Sequence, residues 1–236
     1  MKKFNLLFVC LLLTFGIHAQ GIIGAWESHS TSENGDPLKT VRIFVDGYHV
    51  STTFHNITGS FVETHGGSWY LKDDVIIENI EFDTNNPERV GTEVSYKLKI
   101  ANHEIEIGDR HQKFTRIDDG TPGALEGAWL MSGRVVDGQP QTRDTSGPRK
   151  TMKILSGTRF QWIAYNKETK QFMGTGGGTY TTRNGEYTET IKFFSRDDSR
   201  VGMSLKFDYE LVDGLWHHSG SSSKGDPIHE IWSLRK

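Results

Sequence analysis

The chain repeats itself, and this limits its possible folds more than any other feature. Gly24-Ala25-Trp26 returns 103 residues later as Gly127-Ala128-Trp129. Further matches follow in the same order. Ile76-Ile77-Glu78-Asn79-Ile80-Glu81-Phe82 corresponds to Tyr187-Thr188-Glu189-Thr190-Ile191-Lys192-Phe193, and Asn102-His103 to Trp216-His217. His111-Gln112-Lys113-Phe114 corresponds to His229-Glu230-Ile231-Trp232. The offset grows to 118 along the chain, as loop insertions would make it. The matches predict two homologous units, 20–119 and 124–236. Asp118-Asp119-Gly120-Thr121-Pro122-Gly123 between them has the composition of a linker.

The pattern inside each unit is that of strands. Val94–Ile100 and Met203–Tyr209 alternate apolar and polar residues with period two. Asn34-Gly35, Asp46-Gly47, Asp137-Gly138, Asn184-Gly185 and Asp213-Gly214 are hairpin turn pairs. No window carries a 3.6-residue stripe. The predicted fold is all-β: two tandem small antiparallel barrels, each closing its own edges with seven or eight short strands. A β-sandwich is the competing arrangement.

Residues 1–19 read as a secretory signal peptide. Met1-Lys2-Lys3 is basic, Phe4–Phe15 is apolar and too short to cross a bilayer, and Ala19 supplies a small residue for cleavage. A periplasmic or secreted protein is expected. The single cysteine, Cys10, falls in the leader, so the mature chain is expected to hold no disulfide and no Cys-based metal site. No later apolar stretch is long enough for a transmembrane segment. The formal net charge of −3 gives no basic field for a nucleic-acid partner. It is unevenly divided. Residues 20–122 carry 9 Lys and Arg against 17 Asp and Glu, whereas 123–236 carry 16 against 13.

Residues two apart on a strand share a face. Tyr187, Glu189, Ile191 and Phe193 therefore share one, and Ile76, Glu78, Ile80 and Phe82 repeat it in the first unit. An inward glutamate in both copies needs a cation, hydrogen bonds or a raised pKa. It serves either as half of an internal pair or as a contact for a ligand. On the last strand Ile228, Glu230, Trp232 and Leu234 share a face. The match to His103 makes His217 the expected inward histidine. The second unit thus offers Glu189, His217 and Glu230, with Tyr165, Tyr187 and Tyr209, as groups that move protons near neutral pH. No cofactor is predicted, although two carboxylates and one His would also accept a divalent metal. His49 and His55, with Ser51 and Thr53, read as a solvent face, and His65 as part of a turn. Arg134 and Arg143, together with Arg149, Lys150, Arg196 and Arg200, lie in loop-like stretches where they would attract an anion. Trp162, Tyr209 and Trp232 are candidate surfaces for stacking on a ligand. Trp162 and Tyr165 fall on opposite faces of one strand, so only one can line a cavity.

A family resemblance rests on the second unit. Gly127-Ala128-Trp129, Phe160–Asn166, Gly174-Thr175-Gly176-Gly177-Gly178-Thr179-Tyr180, Tyr187-Thr188-Glu189 and His229-Glu230-Ile231-Trp232 resemble a lipocalin-like family of unknown function. That family is found in secreted proteins of polysaccharide-degrading Gram-negative bacteria. The first unit looks like a diverged copy. The resemblance implies a lipocalin-like barrel and a role in glycan use. Two functions fit. One is an eliminating dehydratase or lyase acting across C4–C5 of a uronic acid in acidic, ulvan-like oligosaccharides; a hydrolase using Glu189 and Glu230 is its variant. The other is a non-catalytic barrel that binds a glycan or a small apolar molecule. The partner is an acidic oligosaccharide or other small ligand, and the oligomeric state is left open.

Overall fold

A computed structural model describes residues 21–101, 103–108, 111–222 and 225–236. The expected signal peptide, with Cys10, lies outside these residues. Strands β1 (Gly24–Thr31), β2 (Pro37–Val45), β3 (Tyr48–His55), β4 (Phe61–Lys72), β5 (Val75–Asp83), β6 (Glu93–Ala101), β7 (Glu104–Ile107) and β8 (Gln112–Asp118) each pair antiparallel with the next, and β8 returns to β1. The second barrel runs through β9 (Gly127–Val136), β10 (Gln139–Thr142), β11 (Arg149–Leu155), β12 (Arg159–Asn166), β13 (Gln171–Arg183), β14 (Glu186–Phe194), β15 (Ser204–Val212), β16 (Leu215–Ser221) and β17 (Pro227–Leu234). Pairing of β17 with β9 closes it. β10 and β11 both pair with β9 and together do the work of β2, split by an insertion. The molecule is therefore two tandem eight-stranded up-and-down barrels, as the repeat predicts.

The Gly-Ala-Trp repeat marks the first strand of each barrel. Gly24 and Gly127 sit at φ +121° and +133°, a region closed to most side chains. That turn aims Trp26 and Trp129 into the barrels. Their indole N–H groups donate to the carbonyls of Ile22 (2.8 Å) and Leu125 (2.9 Å), so each ring is buried without losing a hydrogen bond.

One expected match is out of register. Ala101 pairs with Glu104 and Val212 with Leu215, so His103 corresponds to Gly214 rather than to His217. The error is three residues. An odd slip exchanges the two faces of a strand. It is therefore Trp216 and His218 that point inward, and His217 points out.

The barrels share an apolar seam built from Ala25, Ile43, Val45, Val50 and Phe82 on one side and Ala128, Leu130, Met152, Ile154, Ile163 and Tyr165 on the other. β3 is covered on both faces as a result. His49, Ser51 and Thr53 are buried, contrary to the solvent face expected of them, because they face the lumen of the first barrel while Val50 and Thr52 face the second barrel. His65 lies in strand β4, not in a turn. At the seam Thr52 Oγ1 donates to the Gln161 side chain at 2.7 Å, and Gln161 donates to Thr64 (3.1 Å) and Thr175 (2.9 Å). The linker is clamped rather than loose: the Asp118 carboxylate accepts from Ser156 Oγ (2.9 Å), Thr158 N (2.6 Å) and Thr158 Oγ1 (2.8 Å).

Candidate active site

Each barrel holds a glutamate–cation pair in the same place. Trp26 is opposite Arg42 and Trp129 opposite Lys153; Glu78 and Glu189 face them across the lumen. Lys153 Nζ lies 2.7 Å from Glu189 Oε1, which also accepts from the Tyr187 hydroxyl at 2.9 Å. Arg42 lies 3.3 Å from Glu78. The sequence pattern thus located both inward glutamates, and the structure gives each an internal partner.

The two lumens then part company. In the first, His49 is fully buried 3.7 Å from Glu78 and stacks on Phe44, while His65 reaches Arg42 at 3.4 Å. Burial, reinforced by the Arg42 charge, holds both imidazoles neutral, His65 down to about 3. In the second, Lys153, Glu189, His218, Glu230 and Trp232 border a cavity of about 380 Å³. Its outer part is lined by Trp162, Phe194, Arg196, Arg200, Met203 and Ile228, with Arg200 held by Asp197 at 3.1 Å. Gly176 keeps that part open: a Cβ there would sit 2.5 Å from the Phe194 ring and 2.9 Å from the Trp162 indole nitrogen. The matching residue of the first barrel is His65, by the pairing of Ser51 with His65 and of Trp162 with Gly176.

His218 is the imidazole that borders this cavity. Its ring is 2% exposed, and Nδ1 lies 3.2 Å from Glu230 Oε2, an oxygen that also accepts from the Trp232 indole at 3.2 Å. Nε2 is buried with no hydrogen-bond partner. Burial and the Lys153 charge hold the imidazole below its ordinary value against the pull of Glu230. Burial pushes the Glu230 carboxyl up, but the His218 hydrogen bond and Lys153 leave it lowered on balance. A neutral ring beside a carboxylate carries its proton on Nδ1 and keeps a lone pair on Nε2, the arrangement of a general base. Lys153 supplies positive charge: Glu189 takes one of its three donors, and its ammonium lies 5.2 Å from the Tyr187 and Trp216 ring centres.

Of the residues expected to form the site, Glu189, Glu230, Trp162 and Trp232 line this cavity. Tyr187 lies beneath Glu189, fully buried, and burial together with that carboxylate raises its phenol well above the ordinary value. Tyr209 packs half-buried against the aromatic cluster. Tyr165 is elsewhere. It faces the seam, where its hydroxyl meets Glu81 and Arg235, and burial raises it likewise. His217 is on the outside beside His229. Arg134 is exposed and bonds Gln141; Arg143 contacts Met131 and Thr151, and of these only Thr151 borders the cavity. The metal set Glu189, His217 and Glu230 does not converge, and among the described residues no three ligating side chains do. Sequence reasoning missed Lys153 and His218. A groove of about 360 Å³ between the barrels carries Glu27 already paired with Lys39 at 3.0 Å and no buried polar atom lacking a partner among the described residues, so it offers less chemistry.

No curated protein matches the chain. Residues 124–234, the barrel that holds the cavity, match the model of a domain of unknown function, DUF4488.

Proposed function

We propose that the second barrel is the working unit of an exported protein of glycan breakdown, and that its cavity eliminates across C4–C5 of a uronic acid. The observation that carries this is the His218–Glu230 pair, whose unpartnered Nε2 belongs to a ring bordering a cavity that also holds Lys153 and Arg196. The cavity volume falls within the ~300–1,000 Å³ usual for small-ligand sites. In the reaction, Lys153 and Arg196 offset the charge of the sugar carboxylate, which makes the C5 proton more acidic. His218 Nε2 takes that proton, the C4=C5 bond forms, and the C4–O bond breaks. The imidazolium, stabilised by Glu230, returns the proton to the departing oxygen. Loss of water makes the protein a dehydratase; loss of a sugar makes it a lyase. The export and the glycan setting rest on Met1–Ala19 and on the resemblance of the second unit.

The test is to incubate the mature protein with acidic oligosaccharides and follow the ultraviolet absorbance of an unsaturated uronate. Turnover that disappears in His218→Ala and Glu230→Gln, with ligand binding kept, supports the elimination. Binding of the same oligosaccharides without new absorbance overturns it and leaves a carrier.

A further inference from the structure

On the outer wall of the second barrel, away from the cavity, His217 of β16 and His229 of β17 meet with Nδ1 and Nε2 3.1 Å apart and their rings at 72°. The two are diagonal neighbours: His217 pairs with Ile231 and His229 with Ser219. β15 brings two carboxylates to the same face. Glu210 is directly opposite His217, and Asp208 is opposite Ser219, in line with His229. Together with Tyr209 these residues border a surface depression of about 280 Å³.

We infer that this face binds a borderline divalent transition ion, Zn²⁺ or Cu²⁺, through His217 and His229, with Glu210 or Asp208 as an added ligand and water completing the shell. The separation of the nitrogens is the argument. Metal–imidazole bonds of about 2.0–2.1 Å place two ligands on one ion at roughly 2.9 Å for a right angle and roughly 3.4 Å for a tetrahedral one. The observed 3.1 Å lies between, so the two nitrogens already stand at the separation a shared ion needs. Imidazole with carboxylate suits Zn²⁺ and Cu²⁺ rather than Mg²⁺ or Ca²⁺, which prefer all-oxygen shells. The histidine pair is the preformed part. No three ligating side chains already converge among the described residues, so a carboxylate must rotate inward on binding.

The experiment is to strip the full mature protein of metal and titrate it with Zn²⁺ and Cu²⁺ by calorimetry. One equivalent of ion is expected to bind with heat, and the affinity is expected to fall by at least roughly 100-fold in His217→Ala and in His229→Ala. That is the upper end of what loss of even an outer-shell partner costs a metal site. The Cu²⁺ electron paramagnetic resonance spectrum is expected to carry hyperfine lines from two nitrogens in the wild type and to lose one in each variant. Both residues are half-buried on an outer face, and circular dichroism of each variant verifies that the barrel is intact. Absence of saturable binding, or binding and spectra unchanged in both variants, overturns the site and leaves an imidazole–imidazole hydrogen bond.

Discussion

The two barrels share strand order, a buried tryptophan and an inward glutamate paired with a cation, yet they differ in what surrounds that pair: a cavity borders it in the second. The difference lies in a few positions. Where the first has His65, the second has Gly176; where the first has Ile107 and Gln112, the second has His218 and Glu230. One lumen sets two imidazoles, His49 and His65, beside its glutamate and arginine. The other keeps a carboxylate–imidazole pair beside an opening. A closed sheet can thus serve as scaffold or as site without altering its hydrogen-bond ladder, because the change is confined to side chains that point inward.

The largest expected effect is loss of the fold when the comparison is forced apart. The second barrel produced alone from residue 124 would expose Ala128, Leu130, Met152, Ile154, Ile163 and Tyr165. Expected outcome: aggregation on size exclusion and no cooperative melt. A soluble, cooperatively melting fragment would show that the first barrel is dispensable. Next in size, His218→Ala and Glu230→Gln are expected to lower turnover by ~10²–10⁴-fold, the usual worth of a positioned base. Substitution of Gln112, the counterpart of Glu230, should leave the rate unchanged, and a matching loss there would break the assignment of chemistry to one barrel.

Glu78→Gln leaves Arg42 as a buried charge and is expected to cost ~3–5 kcal/mol in denaturant unfolding. Glu189→Gln should cost less, since Lys153 still faces Tyr187, Trp216 and the cavity. Equal costs would mean that the second lumen is as dry as the first.

Acid acts on both barrels, with two imidazoles held neutral in the first, His49 and His65, against His218 in the second. An imidazole held neutral in the fold, with an ordinary value of ~6.5 when unfolded, stabilises fully above pH ~6.5. Below that the unfolded chain takes up a proton that the fold refuses. Stability then falls by ~1.4 kcal/mol per pH unit for a fully buried histidine, until the folded group itself titrates. His49 is expected to follow this slope, and His65, half-buried, to add a smaller share down to about pH 3. His49→Phe, which installs the residue found at the matching Phe160, should flatten the stability curve between pH 6.5 and 4. The smallest effect is Gly176→Ala. Crowding of Trp162 and Phe194 is expected to cost ~1–3 kcal/mol and to weaken ligand binding. Unchanged binding would show that the opening is not set there.

The repeat, the turn pairs and the period-two runs made the double barrel legible. They also made the inward glutamates legible, because a charged residue in an apolar stripe stands out in both copies. Their cations did not stand out. Arg42 follows its tryptophan by 16 residues and Lys153 by 24, and the insertion between β10 and β11 hides the match. His218 was lost to the odd register slip that turned His217 inward. Tyr165 was misplaced for another reason: alternation says that two faces differ, but not which is lumen when the other is covered by a second barrel.

That covered seam has a consequence for motion. Strands with both faces buried open only with the whole fold, so amide protons of Tyr48–His55 and Arg159–Asn166 should exchange with solvent slowest. β15 is exposed along much of its length and lies across the second barrel from the seam. Breathing therefore concentrates in the wall that carries Phe207 and His218 on its inner side and His217 on its outer side. Ligand entry and metal capture would draw on the same pliant sheet, and each should register in the exchange rates of the other.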